Sequence, residues 1–213
     1  MKPLSFPDII IGIGIFLSVG VEASLADRNS TKWNEAIGKA EILVSKLNLT
    51  EKATFVTGKL PIGGAPCIGN ILPINHADFK EICMQDGPNG INIADLVSVF
   101  PAGLTVAASW DKDLMFQRAK AIGQEFRGKG INIALGHALG GRNWEGFSVD
   151  PYLSGVAMEQ TVLGIQSMGV QTCSKHFLAN EQELQRTYTI VDGKRIEGIS
   201  SNVDDRTIRE LYA

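Results

Sequence analysis

The sequence contains few of the residues that bind metals or nucleic acids. Its 213 residues include only three cysteines and three histidines, and no two cysteines have the spacing of a zinc site. The formal net charge is -3, and no basic run occurs, which argues against a nucleic-acid partner. Internal repeats and low-complexity tracts are also lacking. We therefore expect no metal site, no cofactor and no nucleic-acid partner.

Apolar residues, by contrast, make up 44% of the chain, enough for one domain with a core. Residues 9–21 form a continuous apolar run that is too short for a membrane span, which needs roughly 18 or more residues. The run and the small residues around Ala23 are typical of a secretory signal. Residues 1–23 are thus predicted to be a signal peptide and residues 24–213 the mature part. The alternative is a buried strand or helix.

Glycosylation sequons and cysteine positions also favour secretion. Asn29 and Asn48 each begin an Asn-X-Thr triplet, the acceptor pattern for glycosylation. Cys67 and Cys83 flank a stretch rich in Gly, Pro and Asn, where a disulfide is plausible. Cys173 lies within an apolar run and is expected to be a buried thiol. These features predict an extracellular protein that is free of the membrane once its signal is removed.

The spacing of apolar residues predicts alternating helices and strands. Helical patterns cover residues 33–47, 111–129 and 151–168, and a short helix is predicted to begin at the capping residue Thr50. Strands are predicted over residues 82–85, 131–135 and 170–174, with a long loop over residues 58–80, a hairpin over residues 187–200 and a capped helix from Asp204. This alternation predicts an α/β fold with a parallel sheet.

Charged residues follow each predicted parallel strand. In a barrel, catalytic and binding residues lie on the loops that follow the strand ends. The residues at those positions are Asp86, Arg142, Lys175 and His176. One strong acceptor and three donors match a neutral polyol, whereas Asp86 would repel a phosphate. Trp144 would add an apolar face to such a pocket. An ordinary charged surface is the alternative.

Five segments together carry a family resemblance: MQDGPNGIN, FPAGLTVAASWD, EFRGKGINIALG, GGRNWEGFSVDPYL and SKHFLANEQE. They resemble the first domain of family-three glycoside hydrolases, and most of all the secreted fungal β-glucosidases. The resemblance extends from about residue 33 to residue 213. It implies an α/β fold, a partial (β/α)8 TIM-barrel-like domain that is incomplete at the C-terminus, since a full barrel has about 250 residues. The enzymes of this family release terminal glucose from β-glucosides and cello-oligosaccharides with retention, using two carboxylates.

The resemblance also implies roles for individual residues. Asp86 matches the carboxylate that grips hydroxyls of the terminal glucose, and Arg142, Lys175 and His176 match the donors that hold the same sugar. Cys67 and Cys83 fall where the fungal enzymes have a disulfide. The expected partners are a small β-glucoside or oligosaccharide and, in a full-length form, the missing downstream domains.

The sequence departs from the family pattern at several points. No Ser-Asp-Trp nucleophile motif occurs within the 213 residues, and the family's acid/base glutamate belongs to a second domain. Asn92 stands where the family commonly has arginine, and the loop before Gly141 is short. Among the other carboxylates, Asp150 is interpreted as a helix cap, and Glu145 and Glu181 as structural partners near the strand ends.

These departures leave three hypotheses about function. The chain carries the glucose-binding part of a β-glucosidase but no catalytic residue, so it is expected to be inactive alone. Alternatively, it is a secreted, non-catalytic sugar-binding remnant. A third reading is a non-functional truncated product.

Overall fold

A computed structural model describes residues 31–59, 67–136 and 142–212 of the chain. The described residues form two compact units, one made of residues 31–56 and 74–79, the other of residues 57–73 and 80–212. The predicted signal segment, Asn29 and the short loop before Gly141 lie outside the described residues. Within the described ranges, we find no helix with both the length and the hydrophobicity that crossing a membrane requires.

The first unit is helical. Helix α1 (Thr31–Lys46) confirms the predicted helix, and α2 (Leu49–Thr57) follows it, while a 3-10 turn (Asn75–Ala77) lies further along the chain. The prediction that Thr50 caps α2 is wrong. Asn48 is the cap: its side-chain oxygen accepts from the Glu51 amide at 3.0 Å, and its own amide donates to the Glu51 carboxylate at 2.9 Å. This reciprocal pair is a capping box, which satisfies two backbone groups at once.

The second unit contains a four-stranded sheet whose order follows the chain. Strands β2 (Ile82–Asp86), β3 (Ile133–Gly136) and β4 (Gln171–Ser174) are parallel, as predicted, and β1 (Gly69–Ile71) pairs antiparallel with β2. Strand β1 lies in the stretch predicted to be a loop, so that prediction is wrong there. A three-residue strand carries no periodicity that sequence could reveal, and its pairing with β2 defines it.

The predicted disulfide between Cys67 and Cys83 is present. Cys67 lies just before β1, and Cys83 lies within β2. The bond therefore fastens the short first strand to its neighbour across a separation of 16 residues. Both cysteines are buried and belong to the core that α4 forms against the sheet.

Helices connect the parallel strands and cover the sheet. Helices α3 (Gly103–Ala107) and α4 (Lys112–Gly128) join β2 to β3, and α5 (Pro151–Ser167) joins β3 to β4. Asp111 caps α4 by accepting from the Leu114 amide at 3.0 Å, and Asp150 caps α5 through the Leu153 amide at 2.9 Å. The assignment of Asp150 as a cap is thus confirmed. Proline at the first position of α5 fits a helix start, where no amide donor is needed.

Glycines allow α4 and α5 to approach closely. A Cβ atom on Gly123 would lie 2.9 Å from the Ile165 backbone, and one on Gly164 would lie 2.7 Å from Ala119 Cβ. Such distances are shorter than carbon atoms tolerate, so only glycine fits at these crossings. The helix pair is held by backbone proximity as well as by buried side chains such as Ile122 and Phe126.

The prediction that Cys173 is a buried thiol is wrong, because its residue is exposed. Helix α5 packs on one face of β4, where Thr172 contacts Gln166 and Ser174 contacts Met158. Strand alternation turns Cys173 to the opposite face. Cys173 is therefore exposed on the face of β4 that α5 does not cover.

The end of the described chain contains a hairpin and a capped helical segment, both predicted. The hairpin pairs β5 (Thr189–Val191) with β6 (Lys194–Ile196). Helix α6 (Asp205–Thr207) continues as a wider π-helical turn (Ile208–Tyr212), and Asp204 caps it through the Thr207 amide at 3.0 Å.

Removing the disulfide should destabilise the chain. Replacing Cys67 and Cys83 together by serine opens a loop of 16 residues, and closing a loop of this size stabilises a fold by about 3 kcal/mol in the chain-entropy picture. We expect a clear fall in the free energy of unfolding measured with urea. Cys173→Ser is the matched control, because this exposed thiol makes no such link, and its effect should stay within about 0.5 kcal/mol. Equal stabilities for the double variant and the wild type would contradict the expectation.

Helix α5 offers a second test, in which one substitution has opposite effects at two positions. Gly164→Ala would force its new methyl group against Ala119 and the Phe116 carbonyl and should destabilise by about 1–3 kcal/mol. Gly155→Ala, in the same helix with no atom within 4 Å of its new methyl group, should stabilise by about 0.5–1 kcal/mol. Thermal unfolding of both variants measures the difference. A Gly164→Ala variant as stable as Gly155→Ala would refute the close packing of α4 and α5.

Candidate functional site

The residues that follow the parallel strands come together at one edge of the sheet. Asp86 ends β2, and Lys175 follows β4, with β3 lying between these two strands. The Lys175 ammonium donates to the Asp86 carboxylate at 2.5 Å. Both side chains are partly exposed.

Arg142 joins this group through several contacts. One terminal nitrogen of its guanidinium donates to His176 Nε2 at 3.0 Å. Its Nε pairs with a Glu145 carboxylate oxygen at 2.9 Å, and Glu183 lies further away at 3.7 Å. The structure thus brings together all four residues that sequence reasoning selected: Asp86, Arg142, Lys175 and His176.

His176 is held as a neutral acceptor on the side that faces Arg142. A guanidinium has only donors, so Nε2 of the imidazole must present a lone pair to it. Burial holds the pKa of His176 below its ordinary value, and the positive charges of Arg142 and Lys175 lower this pKa further. A neutral imidazole fixed in this way orients neighbouring groups without adding a third positive charge.

Two residues that sequence reasoning did not assign to the site also belong to the cluster. Asn180 Nδ2 lies 3.2 Å from His176 Nδ1 and donates to a Glu183 oxygen at 3.0 Å. The hydrogen bond from Asn180 lowers the pKa of Glu183, and the positive charges of Arg186 and Arg142 add to this. The sequence signal was the polar run that begins four residues after His176. Its partners could not be read from spacing alone.

The other carboxylates make different contacts. Glu145 is 4% exposed, and burial raises the pKa of its carboxyl group, an effect that Arg142 and Lys175 partly offset. Glu181 accepts a hydrogen bond from the Tyr212 hydroxyl. Burial and this bond raise the pKa of Tyr212 to about 12.

A cleft of about 360 Å³ adjoins the cluster. Lys175 and His176 line it, together with apolar side chains that include Phe147, Met158 and Leu211, whereas Asp86 and Arg142 do not. Trp144, two residues from Arg142, is half exposed. Within the described part of the chain, no three potential metal ligands lie together.

Comparisons with known proteins found matches in one family. The model of the glycosyl hydrolase family 3 N terminal domain matches residues 82–198. A probable β-glucosidase G from Aspergillus flavus is 52% identical over 194 residues, which cover 84% of this chain and 23% of that protein. A solved family 3 β-glucosidase from Neurospora crassa is 43% identical with a TM-score of 0.76, covering 87% of this chain and 23% of that one.

A more distant structure is β-glucosidase 3B from Thermotoga neapolitana, solved in complex with glucose. It is 32% identical with a TM-score of 0.67, covering 82% of this chain and 26% of that one. This chain therefore spans about a quarter of the length of the relatives it matches. The similarities confirm the expected fold class, an α/β fold that corresponds to part of a TIM-barrel-like domain.

Protonation of His176 should destabilise the folded chain. Its folded-state pKa is lower than the unfolded-state value of about 6.5, so between these values the unfolded chain binds more protons. The neutral form of His176 therefore makes its full contribution to folding stability above about pH 6.5. This contribution is lost as the pH falls through the folded-state pKa of His176. We expect His176→Gln, which cannot be protonated, to lose less unfolding free energy than the wild type over this range. Urea denaturation at stepped pH measures the difference, and comparison of the two proteins cancels the opposite contribution of Glu145.

Arg142→Ala provides the control for the cause of this shift. Removing this neighbouring cation should raise the pKa of His176, which an NMR titration of the imidazole measures directly. An unchanged pKa in this variant would contradict the contact between the two side chains.

Proposed function

Because the chain belongs to glycosyl hydrolase family 3, we propose that it holds the terminal glucose of a β-glucoside. The observation that carries this proposal is the cluster at the carboxyl edge of the sheet, in which Asp86, Arg142, Lys175 and His176 meet. In parallel α/β folds this edge is the usual place for a ligand. Glucose in the structure of the Thermotoga neapolitana relative supports the choice of sugar.

Each residue of the cluster has a role in this proposal. Asp86 accepts hydrogen bonds from sugar hydroxyls, and Lys175 donates to a hydroxyl oxygen. Arg142 donates in the same way, and the neutral His176 fixes the direction of its guanidinium. Hydrogen bonds to charged groups contribute about 1.5–3 kcal/mol each, so a few of them suffice for a selective, weak site.

The charges of the cluster favour a neutral ligand. The carboxylates of Asp86, Glu145 and Glu183 offset the positive charges of Arg142 and Lys175, since each lies within ion-pair distance of one or the other. A phosphate would meet these three carboxylates at close range. A hydroxylated sugar both donates and accepts, and it adds no charge of its own.

Hydrolysis belongs, in this proposal, to the longer form that the relatives represent. The 213 residues contain no Ser-Asp-Trp nucleophile motif, and the chain spans about a quarter of its relatives. We therefore assign to this chain the glucose-binding part of a retaining β-glucosidase, with residues 24–213 as part of the barrel domain and the downstream domains as its partners. The chain alone would bind glucose without cleaving a glucoside.

Secretion is part of the same proposal. The apolar run at residues 9–21 supports a signal peptide, and the disulfide between Cys67 and Cys83 suits an oxidising compartment. Asn29 and Asn48 are proposed glycosylation sites. At Asn48, the capping interaction engages the amide oxygen and the backbone, while the residue itself is exposed.

Glucose binding by the purified chain tests the proposal. We expect millimolar glucose to shift backbone amide signals of residues near Asp86 and His176 in an NMR titration. Asp86→Asn should weaken binding by more than about tenfold, because it removes the charge from an acceptor that contributes about 1.5–3 kcal/mol. Asp192→Asn, in the exposed turn between β5 and β6, is the matched control and should bind as the wild type does. No shift at millimolar glucose in the wild type would refute the proposed function.

A further inference from the structure

Glu145 is the most deeply buried charged residue of the cluster. It is 4% exposed, and one of its two carboxylate oxygens is fully buried without a hydrogen-bond partner among the described residues. A buried carboxylate costs free energy unless its partners compensate for the lost water. Glutamine or a small apolar residue would avoid this cost, so the charge at this position calls for an explanation.

The backbone around Glu145 is fixed from two sides. The Glu145 amide donates to the Arg142 carbonyl at 2.9 Å, which closes a turn between the two residues. The carbonyl groups of Glu145 and Gly146 pack against Gly103. A Cβ atom added to Gly103 would lie 3.1 Å from the Glu145 oxygen and 2.7 Å from the Gly146 oxygen. The carboxylate therefore projects from a rigid turn that leaves it little freedom to move.

The carboxylate of Glu145 controls the orientation of the Arg142 side chain. A guanidinium is planar, so contacts at two of its nitrogens fix the whole group. Glu145 binds Nε at 2.9 Å, and His176 accepts from a terminal nitrogen at 3.0 Å. Glu183, at 3.7 Å from Nε, is the competing partner and lies at the more exposed side.

We propose that Glu145 is a positioning residue of the glucose site, which acts on the sugar only through Arg142. This inference rests on the proposed function above. Glu145 cannot touch the ligand, because its unpaired oxygen is buried and its other oxygen is engaged by Arg142. The raised pKa of its carboxyl group agrees with a charge kept in place at a cost in burial. Without that charge, the guanidinium is free to turn toward Glu183 and away from the sugar.

A double-mutant cycle separates positioning from general stability. Glu145→Gln keeps the shape of the side chain and should weaken glucose binding about tenfold. Arg142→Lys keeps a cation but lacks the guanidinium that pairs with Glu145 through Nε, so adding Glu145→Gln to it should weaken binding further by less than about twofold. Glu159→Gln, the same substitution at an exposed position of α5, is the matched control and should bind glucose as the wild type does. NMR titration with glucose measures all five proteins.

A second readout does not depend on the sugar. In the wild type, the Nε signal of Arg142 should reflect the carboxylate charge that lies 2.9 Å away, and Glu145→Gln should shift this signal while leaving the melting temperature close to that of the wild type. If Glu145→Gln fails to fold, Glu145→Asp replaces it, since it keeps the charge but withdraws it from Nε by one carbon.

The possible outcomes are distinct. A wild type that binds no glucose overturns the proposed function. If the wild type binds glucose but Glu145→Gln and Arg142→Lys have additive effects on that binding, the positioning role of Glu145 is overturned and the proposed function stands. Non-additive effects together with a shifted Nε signal of Arg142 support it.

Discussion

The parallel pairing of β2, β3 and β4 is the constraint on which the site depends. Parallel strands end at the same edge, so the residues that follow them meet although they lie far apart in sequence. Asp86 and Lys175 are separated by 89 residues and still form an ion pair. Any change that shifts the register of β4 against β3 would move Lys175 and His176 away from Asp86. The helices α4 and α5 that connect these strands pack closely on each other through Gly123 and Gly164.

Features encoded by local interactions could be predicted from the sequence. Asp150 caps α5 because a carboxylate followed by proline is a helix start in almost any context. The apolar stripe of α4 and the hairpin likewise depend on residues close in sequence. The cap of α2 was predicted wrongly. Asn48 and Thr50 both have side chains that can cap a helix, but Asn48 forms the reciprocal pair of hydrogen bonds with Glu51.

Several features that depend on distant residues could not be predicted. Strand β1 exists because β2 and a disulfide hold it, and Cys173 is exposed because of the face on which β4 meets α5. In the site, the motifs identified Asp86, Arg142, Lys175 and His176, and the structure places them together. The contacts of Glu145 with Arg142, and of Asn180 with His176 and Glu183, depend on loop geometry that no spacing reveals.

The exposed position of Cys173 makes its thiol available for chemical labelling. The other two cysteines are joined to each other, so this thiol is the one sulfhydryl that an alkylating reagent meets in the folded protein. It lies two residues before Lys175, on the face of β4 that α5 leaves open. A fluorophore attached there would lie beside the carboxyl edge of the sheet at a single known position. In oxidising surroundings the same sulfhydryl is the point at which two molecules can become covalently joined.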